Sequence, residues 1–96
     1  MKNITIDVPR REVIVGEDQI LLTPKEFSVL LLLAKGDGVV VSREEIGQAV
    51  WGSRSDLHRT INVSICRLRS KIGRKAIITM PRVGYKSNRE AVMLLS

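Results

Sequence analysis

The most informative segment of this sequence is Arg59-Thr60-Ile61-Asn62-Val63-Ser64-Ile65-Cys66-Arg67-Leu68-Arg69-Ser70-Lys71-Ile72. At about 100° per residue on a helix, its large aliphatic residues form one narrow stripe, typical of a helix seated on a core. That stripe is Ile61, Ile65, Leu68 and Ile72. The opposite face carries arginines and small residues, and no carboxylate occurs in the stretch. Because surface helices usually mix cations with acids, this pattern favours a helix that contacts a polyanion over a solvated basic face.

Charge is divided unevenly along the 96 residues, whose net charge is +6. Residues 1–51 hold eight acids and six bases, whereas residues 52–89 hold ten bases and a single acid, Asp56. Nucleic acid is the partner that such a basic half predicts. An anionic membrane surface is disfavoured because no helix pairs a basic face with aromatic anchors.

Length and cysteine usage bound the class of protein. A chain of 96 residues with 44% hydrophobic content fits one folded domain. The single Cys66 excludes an internal disulfide and suits a reducing compartment. No secretory signal precedes the first predicted strand, and the longest apolar run, 29–34, is too short to span a bilayer. We therefore expect a cytoplasmic protein with no membrane partner.

The N-terminal residues predict a small antiparallel sheet. Apolar and polar residues alternate over Ile4–Val8, which is the period of a strand with one buried face, and Pro9 ends it. Glu12–Val15 predicts a second strand, and the turn Gly16–Asp18 leads to a third strand over Gln19–Leu22.

Two capping boxes predict where the first two helices begin. Thr23-Pro24-Lys25-Glu26 combines an N-cap, a first-turn proline and an N3 acid, and the apolar run that follows predicts a core helix ending near Gly36 and Gly38. Val39–Val41 predicts a strand fragment. Ser42-Arg43-Glu44-Glu45 is the second capping box, and its helix should continue through Trp51 to Gly52.

The quoted stretch supplies the third helix, which Gly73 should end. The loop Ser53–Leu57 precedes it and offers Ser55 or Asp56 as a cap, so the second and third helices outline a helix-turn-helix. A strand at 76–80, a turn at 81–84 and a strand at 85–87 predict a hairpin with Arg82 at its tip. Such a hairpin directly after a recognition-type helix is a wing.

These residues resemble the winged-helix DNA-binding domain of OmpR/PhoB-type bacterial response regulators. The resemblance spans residues 12 to 87. It rests on Leu22-Thr23-Pro24-Lys25-Glu26-Phe27, Val41-Ser42-Arg43-Glu44-Glu45, Val50-Trp51-Gly52, Arg59-Thr60-Ile61-Asn62-Val63, Arg67-Leu68-Arg69 and Val83-Gly84-Tyr85. It implies an α+β fold, a winged helix-turn-helix with an N-terminal antiparallel sheet, three helices and a C-terminal β-hairpin wing. It also implies that the third helix enters the major groove and the wing reaches the minor groove.

The resemblance implies a set of residues that face DNA. In it, Trp51 and Thr79 contact the DNA backbone, and Arg82 and Tyr85 are contacts of the wing. The whole predicted set is Trp51, Arg59, Thr60, Val63, Ser64, Cys66, Arg67, Arg69, Thr79, Arg82, Tyr85 and Lys86. For Tyr85, packing within the wing is an equally open interpretation. No cofactor and no metal are expected. The loop Ser53–Leu57 often touches RNA polymerase in the family, which makes polymerase a possible second partner.

The sequence departs from the family pattern at several positions. Cys66 stands where a basic residue is usual, and Ser64 where histidine is common. The wing has Pro81-Arg82 where Arg-Gly is usual, and the N-terminal sheet is predicted to be one strand shorter than the usual four. The receiver domain that normally precedes this domain is absent from these residues, so control by phosphorylation is not inferred.

Three other functions compete with DNA binding. Catalysis is disfavoured because His58 and Cys66 lie too far apart on one helix to act as a pair and no metal cluster can be assembled. An RNA-binding module is possible on charge alone, but few aromatic residues are available to stack on bases. A winged-helix protein-interaction module also remains open, and the loss of a basic residue at Cys66 favours it slightly.

Residues 1–87 are predicted to form the DNA-binding domain and residues 88–96 a C-terminal tail. The tail contains consecutive apolar residues from Ala91 to Leu95, which are costly to expose, so it should dock. It is expected to pack, as a short helix or as an added strand, against the N-terminal sheet of its own chain or of a neighbour. The second arrangement would allow a dimer on DNA, where the family often binds paired half-sites.

Overall fold

The computed structural model describes residues 2–53 and 57–95. Its N-terminal sheet begins as the predicted antiparallel meander of β1 (Ile4–Asp7), β2 (Glu12–Val15) and β3 (Asp18–Ile20). β3 starts and ends earlier than predicted. Gly16, with a φ of 62°, allows a tight turn, so that Asp18 already pairs with Val15.

The C-terminal tail forms a fourth strand of this sheet, β7 (Val92–Leu95), in the order β3-β2-β1-β7. β7 runs parallel to β1 of the same chain, with the backbone N–H of Ile4 donating to the Ala91 carbonyl at 3.0 Å. The expectation of an added strand on the chain's own sheet is confirmed, and the short-helix alternative is wrong. The sheet is therefore mixed rather than purely antiparallel, because β7 runs parallel to β1 whereas β1, β2 and β3 pair antiparallel.

Helix α1 (Pro24–Gly36) begins at the predicted capping box. The Thr23 hydroxyl accepts from the Glu26 backbone N–H at 3.2 Å, and the Glu26 carboxylate accepts from the Thr23 backbone N–H at 2.9 Å. The helix ends at Asp37, which adopts a left-handed conformation. Phe27, Val29, Leu30, Leu33 and Ala34 are buried on it. Because α1 packs against α3 (His58–Ile72), β6 (Gly84–Ser87) and β7, it is the central element of the core, as its sequence predicted.

The second helix also begins at its predicted capping box but does not remain α-helical. β4 (Val41–Ser42) leads into α2 (Arg43–Ile46), which continues as a π-helical segment, Gly47–Trp51. Gly52, with a φ of 67°, ends the segment where predicted. The predicted strand over Val39–Val41 is shorter and later, because Val41 and Ser42 pair with β6 whereas Val39 is exposed.

Helix α3 (His58–Ile72) is the basic helix, and Gly73 ends it. The predicted stripe is buried, with Ile61, Ile65, Leu68 and Ile72 each at most 4% exposed. The predicted caps, Ser55 and Asp56, lie outside the described residues. Leu57 occupies the N-cap position and makes no side-chain capping bond.

The wing follows after a short 3-10 turn, Arg74–Ala76. Ala76, predicted to begin the strand, belongs to this turn, and its carbonyl accepts from the Asn88 N–H at 2.9 Å. β5 (Ile77–Met80) and β6 (Gly84–Ser87) form the hairpin, and β4 pairs with β6 to give the order β4-β6-β5. A Cβ atom on Gly84 would lie 2.0 Å from the Val41 carbonyl oxygen, so only glycine allows this approach.

Candidate nucleic-acid interface

The outer surface of α3 carries the residues that its sequence assigned to DNA. Burial of the aliphatic stripe turns the other face of the helix to solvent. Arg59, Thr60, Val63, Cys66 and Arg67 are exposed, and Ser64 is half-buried. These residues thus form one continuous surface, because positions three and four apart are neighbours on a helix.

One side of this surface borders a groove of about 450 Å³ between α3, the start of α1 and the end of the π-helical segment. Half of the predicted DNA-facing set lines it: Trp51, Arg59, Thr60, Val63, Ser64 and Arg67. Thr23, the N-cap of α1, and Lys25 and Glu26 of its first turn also line it, and none of them was in the predicted set. We call the side of α3 that borders this groove, together with the residues that line it, the groove side.

Lys25 is a cation of the groove side that was not among the predicted residues. Its ammonium donates to the Val50 carbonyl at 2.8 Å and lies 5.7 Å from the centre of the Trp51 ring. The half-buried indole is therefore held between the helix end and a cation. In the sequence, Lys25 is simply a polar residue within a capping box, so its proximity to Trp51 could not be foreseen.

Glu26 is an acid in the wall of this groove, and Lys71 neutralises it. The Lys71 ammonium lies 2.7 Å from the Glu26 carboxylate, whose side chain is 4% exposed. Burial by itself raises the pKa of Glu26, but the Lys71 ammonium and the Thr23 hydrogen bonds outweigh it, so the pKa lies below the usual 4.5. The carboxylate stays charged and paired, so the exposed charges among the described residues that line the groove are those of Lys25, Arg59 and Arg67.

The other side of α3 is bonded to the wing, and we call it the wing side. The Arg69 guanidinium donates through Nη2 to the Ile77 carbonyl at 2.9 Å and to the Thr79 hydroxyl at 2.7 Å. Arg69 and Thr79 were predicted as separate DNA contacts, and the structure joins them to each other. Because Nη2 is engaged on β5, the remaining N–H groups of Arg69 are the ones left for a partner.

Tyr85, on β6, also bonds to the wing side of α3. It is 3% exposed, and its hydroxyl donates to the Asn62 carboxamide oxygen on α3. The Arg43 guanidinium lies over its ring, 5.3 Å from the centre. Of the two interpretations left open by the sequence, the structure has the tyrosine ring packed within the wing.

The wing tip presents a cation and an apolar residue. Arg82 is exposed and adopts a left-handed conformation with a φ of 67°, in a turn closed by the Val83 N–H donating to the Met80 carbonyl at 3.0 Å. Val83 is 54% exposed beside it. Lys86 is half-buried farther down β6. Left-handed backbone is costly for arginine, so the turn holds this side chain at the tip against its own preference.

Cys66 lies on the outer surface of α3, between Asn62 and Arg69, the two residues of the helix that bond to the wing. Its thiol is free and exposed, as predicted for the outward face. An open cavity of about 500 Å³ beside it is lined by Cys66, Arg69, Ser70 and Arg74. The predicted residues therefore divide into a groove-side set, a wing-side set and the wing tip, with Cys66 on the wing side.

Comparison with known proteins agrees with this geometry. Residues 16–87 match the family described as "Transcriptional regulatory protein, C terminal". The chain belongs to this family. CutR of Streptomyces coelicolor, a transcriptional regulatory protein, is 36% identical over 85 residues, which cover 86% of this chain and 39% of CutR. The chain thus spans about two fifths of the length of that relative.

Two solved structures share the fold. The DNA-binding domain of Klebsiella pneumoniae RstA, solved in complex with the RstA box, superposes with a TM-score of 0.83 at 29% identity, covering 91% of this chain and 92% of that one. The Thermotoga maritima response regulator DrrB, described as an OmpR/PhoB homologue, gives a TM-score of 0.83 at 30% identity, covering 92% of this chain and 42% of DrrB. The expected winged-helix fold and family are confirmed.

Three residues beside the outer surface of α3 were not in the predicted set: Lys25, Arg43 and Asn62. Each acquires its position through a partner distant in sequence, namely the Val50 carbonyl for Lys25 and Tyr85 for the other two. Helical periodicity does place Asn62 beside the outward face of α3, and that signal could have included it. No local pattern marks Lys25 or Arg43, since both occur inside capping boxes whose spacing already explains them.

Proposed function

We propose that this domain is a sequence-specific regulator of transcription that binds double-stranded DNA, with α3 in the major groove and the hairpin wing in the minor groove. The observation that carries the proposal is the outer surface of α3. It presents Arg59 and Arg67 with small side chains between them, and residues 59–72 contain no acid that could repel phosphates. A recognition helix needs such a surface, because phosphates supply affinity and base edges supply specificity.

The RNA-binding alternative is not favoured by the aromatic residues. The chain contains one Phe, one Trp and one Tyr. Phe27 and Tyr85 are buried, so Trp51, half-buried beside Lys25, is the remaining side chain for stacking on a base. A platform for single strands requires several exposed rings.

The first test is a salt titration of binding to duplex DNA. With about six to ten phosphate contacts, the logarithm of the association constant should fall by roughly 0.9 per phosphate for each unit of log salt. Binding that does not change with salt, or no binding at low salt, contradicts the proposal. Lys35→Ala is the control and should keep the salt dependence of wild type. This exposed cation occupies the last turn of α1, far along the helix from the groove.

Arg67 is proposed as the residue that contacts a base edge. It is exposed in the middle of α3 and lines the groove, and an arginine fork can engage guanine O6 and N7. Arg67→Ala should cost about 1–3 kcal/mol of binding free energy on the preferred sequence and relax the preference at one base pair. An equal loss on preferred and random duplexes would instead assign Arg67 to the phosphate backbone.

Three finer proposals rest on the family resemblance. The loop Ser53–Leu57 is proposed to touch RNA polymerase, although residues 54–56 lie outside the described structure; cross-linking from Ser53 tests this. Two domains are proposed to bind paired half-sites in the cytoplasm, and gel shifts on DNA with one or two half-sites test the pairing.

Residues 1–87 are proposed as the DNA-binding unit. Deleting residues 91–96 should then lower thermal stability without changing the mass in solution, because β7 pairs within its own chain.

A further inference from the structure

Asn62 occupies a position on α3 that neither the predicted set nor the groove accounts for. It is exposed, it lies in the first half of the helix, and its side-chain Oδ1 accepts from the hydroxyl of buried Tyr85. In a helix-turn-helix protein, base edges are contacted mainly from the N-terminal half of the recognition helix. Asn62 thus combines a location suited to base contact with a side chain whose orientation is set from behind.

The orientation of this carboxamide is fixed by the packing of the wing. Tyr85 pairs with Val41 on β4 and with Thr79 on β5, so its backbone is held on both sides. Its ring is 3% exposed and is covered by the Arg43 guanidinium at 5.3 Å. A ring held in this way has little freedom to move its hydroxyl, which therefore stays directed at Asn62.

The hydrogen bond determines which atoms of Asn62 remain for a partner. A carboxamide offers an acceptor oxygen and an NH₂ with two donors. With Oδ1 turned to Tyr85, the NH₂ points away from the wing. The bidentate contact of asparagine with adenine uses the oxygen for N6 and the NH₂ for N7, so both groups must face the base. Oδ1 keeps a second lone pair, but it is directed at Tyr85 and not at the base. A carboxamide held by its oxygen is instead suited to base acceptors, such as guanine O6 and N7 or thymine O4.

We infer that Asn62 is a specificity-determining residue which presents N–H donors to an acceptor on a base edge, and that Tyr85 is its positioning residue. The inference rests on the proposed function, since it assigns one contact within the proposed DNA complex. It gives buried Tyr85 a role in recognition without contact between Tyr85 and DNA. It also predicts that a hydroxyl group on β6 changes the base preference of a residue on α3.

The experiment compares preferred sequences selected from a random duplex library. Wild type, Asn62→Ala, Tyr85→Phe and the double variant are each selected and then titrated on the wild-type sequence and on its single-base variants. Asn62→Ala should lose about tenfold in discrimination at one base pair. Tyr85→Phe should alter the preference at that same base pair, with adenine gaining because the carboxamide can turn. The double variant should behave like Asn62→Ala alone.

A purely structural role for the pair gives a different result, in which all sequences are bound more weakly by the same factor. Ser70→Ala, at an exposed position in the last turn of α3, is the control. If Tyr85→Phe unfolds, Arg43→Leu, which removes the guanidinium that covers the Tyr85 ring, tests the positioning role through the preference at the same base pair. Asn62→Asp tests the donor role, because aspartate keeps the acceptor for Tyr85 and lacks the N–H donors. It should lose at least tenfold on the preferred sequence relative to random DNA.

The outcomes separate the inference from the proposed function. Wild type that fails to bind duplex DNA at low salt overturns the proposed function. Wild type that binds selectively, together with Asn62 variants that keep its preference at every base pair, overturns the inference alone. An unchanged preference in folded Tyr85→Phe overturns the positioning role of Tyr85.

Discussion

The groove side and the wing side of α3 use the same kinds of residue for different purposes. On the groove side, Arg59 and Arg67 are exposed to solvent. On the wing side, Arg69 bonds to the Ile77 carbonyl and the Thr79 hydroxyl, and Asn62 bonds to Tyr85. The polar side chains of α3 are therefore divided between groups exposed to solvent and groups that attach the helix to its own wing.

The largest effect on stability is expected where β6 of the wing packs against β4. Gly84→Ala places a Cβ 2.0 Å from the Val41 carbonyl oxygen, so β4 must separate from β6. Substitutions of this severity cost about 4 kcal/mol or more of the unfolding free energy. Gly52→Ala is the control, because Gly52 has a φ of +67° but no atom within 4 Å of an added Cβ. Backbone strain alone should cost it about 1–3 kcal/mol. Urea unfolding measures both, and equal losses would show that the contact with Val41 is unimportant.

The ion pair in the groove wall should have the next largest effect. Lys71→Met leaves the buried Glu26 carboxylate without its ammonium, and a hydrogen bond to a charged group contributes about 1.5–3 kcal/mol to stability. The loss should be measurable by urea unfolding at neutral pH. No loss there would mean that the ion pair does not stabilise the groove wall.

The same pair should make stability depend on pH. A carboxyl whose pKa is lower in the folded state stabilises the fold above its unfolded pKa, and this contribution disappears as pH falls through the folded pKa. The pKa of Glu26 lies below 4.5, so wild type should lose stability on acidification below about that pH. Glu26→Gln keeps the capping box and should remove this part of the dependence, whereas Glu45→Gln, in the exposed capping box, should not.

Two arginines two positions apart on α3 allow the comparison to be tested directly. Arg69→Ala removes both hydrogen bonds to β5 and should lower the unfolding free energy by about 1–2 kcal/mol. Arg67→Ala, on the exposed groove side, should change stability by less than about 0.5 kcal/mol and act on DNA binding instead. Similar stability losses in the two variants would remove the distinction between the two sides.

The smallest effect on stability is expected at the wing tip. Arg82 has a φ of 67°, and Arg82→Gly relieves the left-handed strain while adding chain entropy to the unfolded state. The two terms should nearly cancel, leaving stability unchanged or raised by less than about 1 kcal/mol. DNA affinity should still fall, since a cation is lost from the tip. A stability loss well above that value would show that the Arg82 side chain supports the turn.

The sequence predicted those parts of the molecule that depend on neighbours along the chain. Both capping boxes were found, because their donors and acceptors lie three residues apart. The buried stripe of α3 and the first two strands followed from helical and strand periodicity. The basic outer face of α3 followed from the same periodicity and from the absence of acids.

Which polar groups bond to one another within the protein depends on the tertiary packing. β7 pairs with β1, Tyr85 bonds to Asn62, and Lys71 pairs with Glu26, and in each case the two partners come from distant parts of the chain. Helical periodicity separates Arg67 from Arg69 around α3, but only the packing of β5 beside Arg69 shows which of the two bonds to the wing. Local periodicity determines which face of an element is buried. The partner of an exposed group depends on where the rest of the chain packs, since hydrogen bonds and ion pairs form only over a few ångströms.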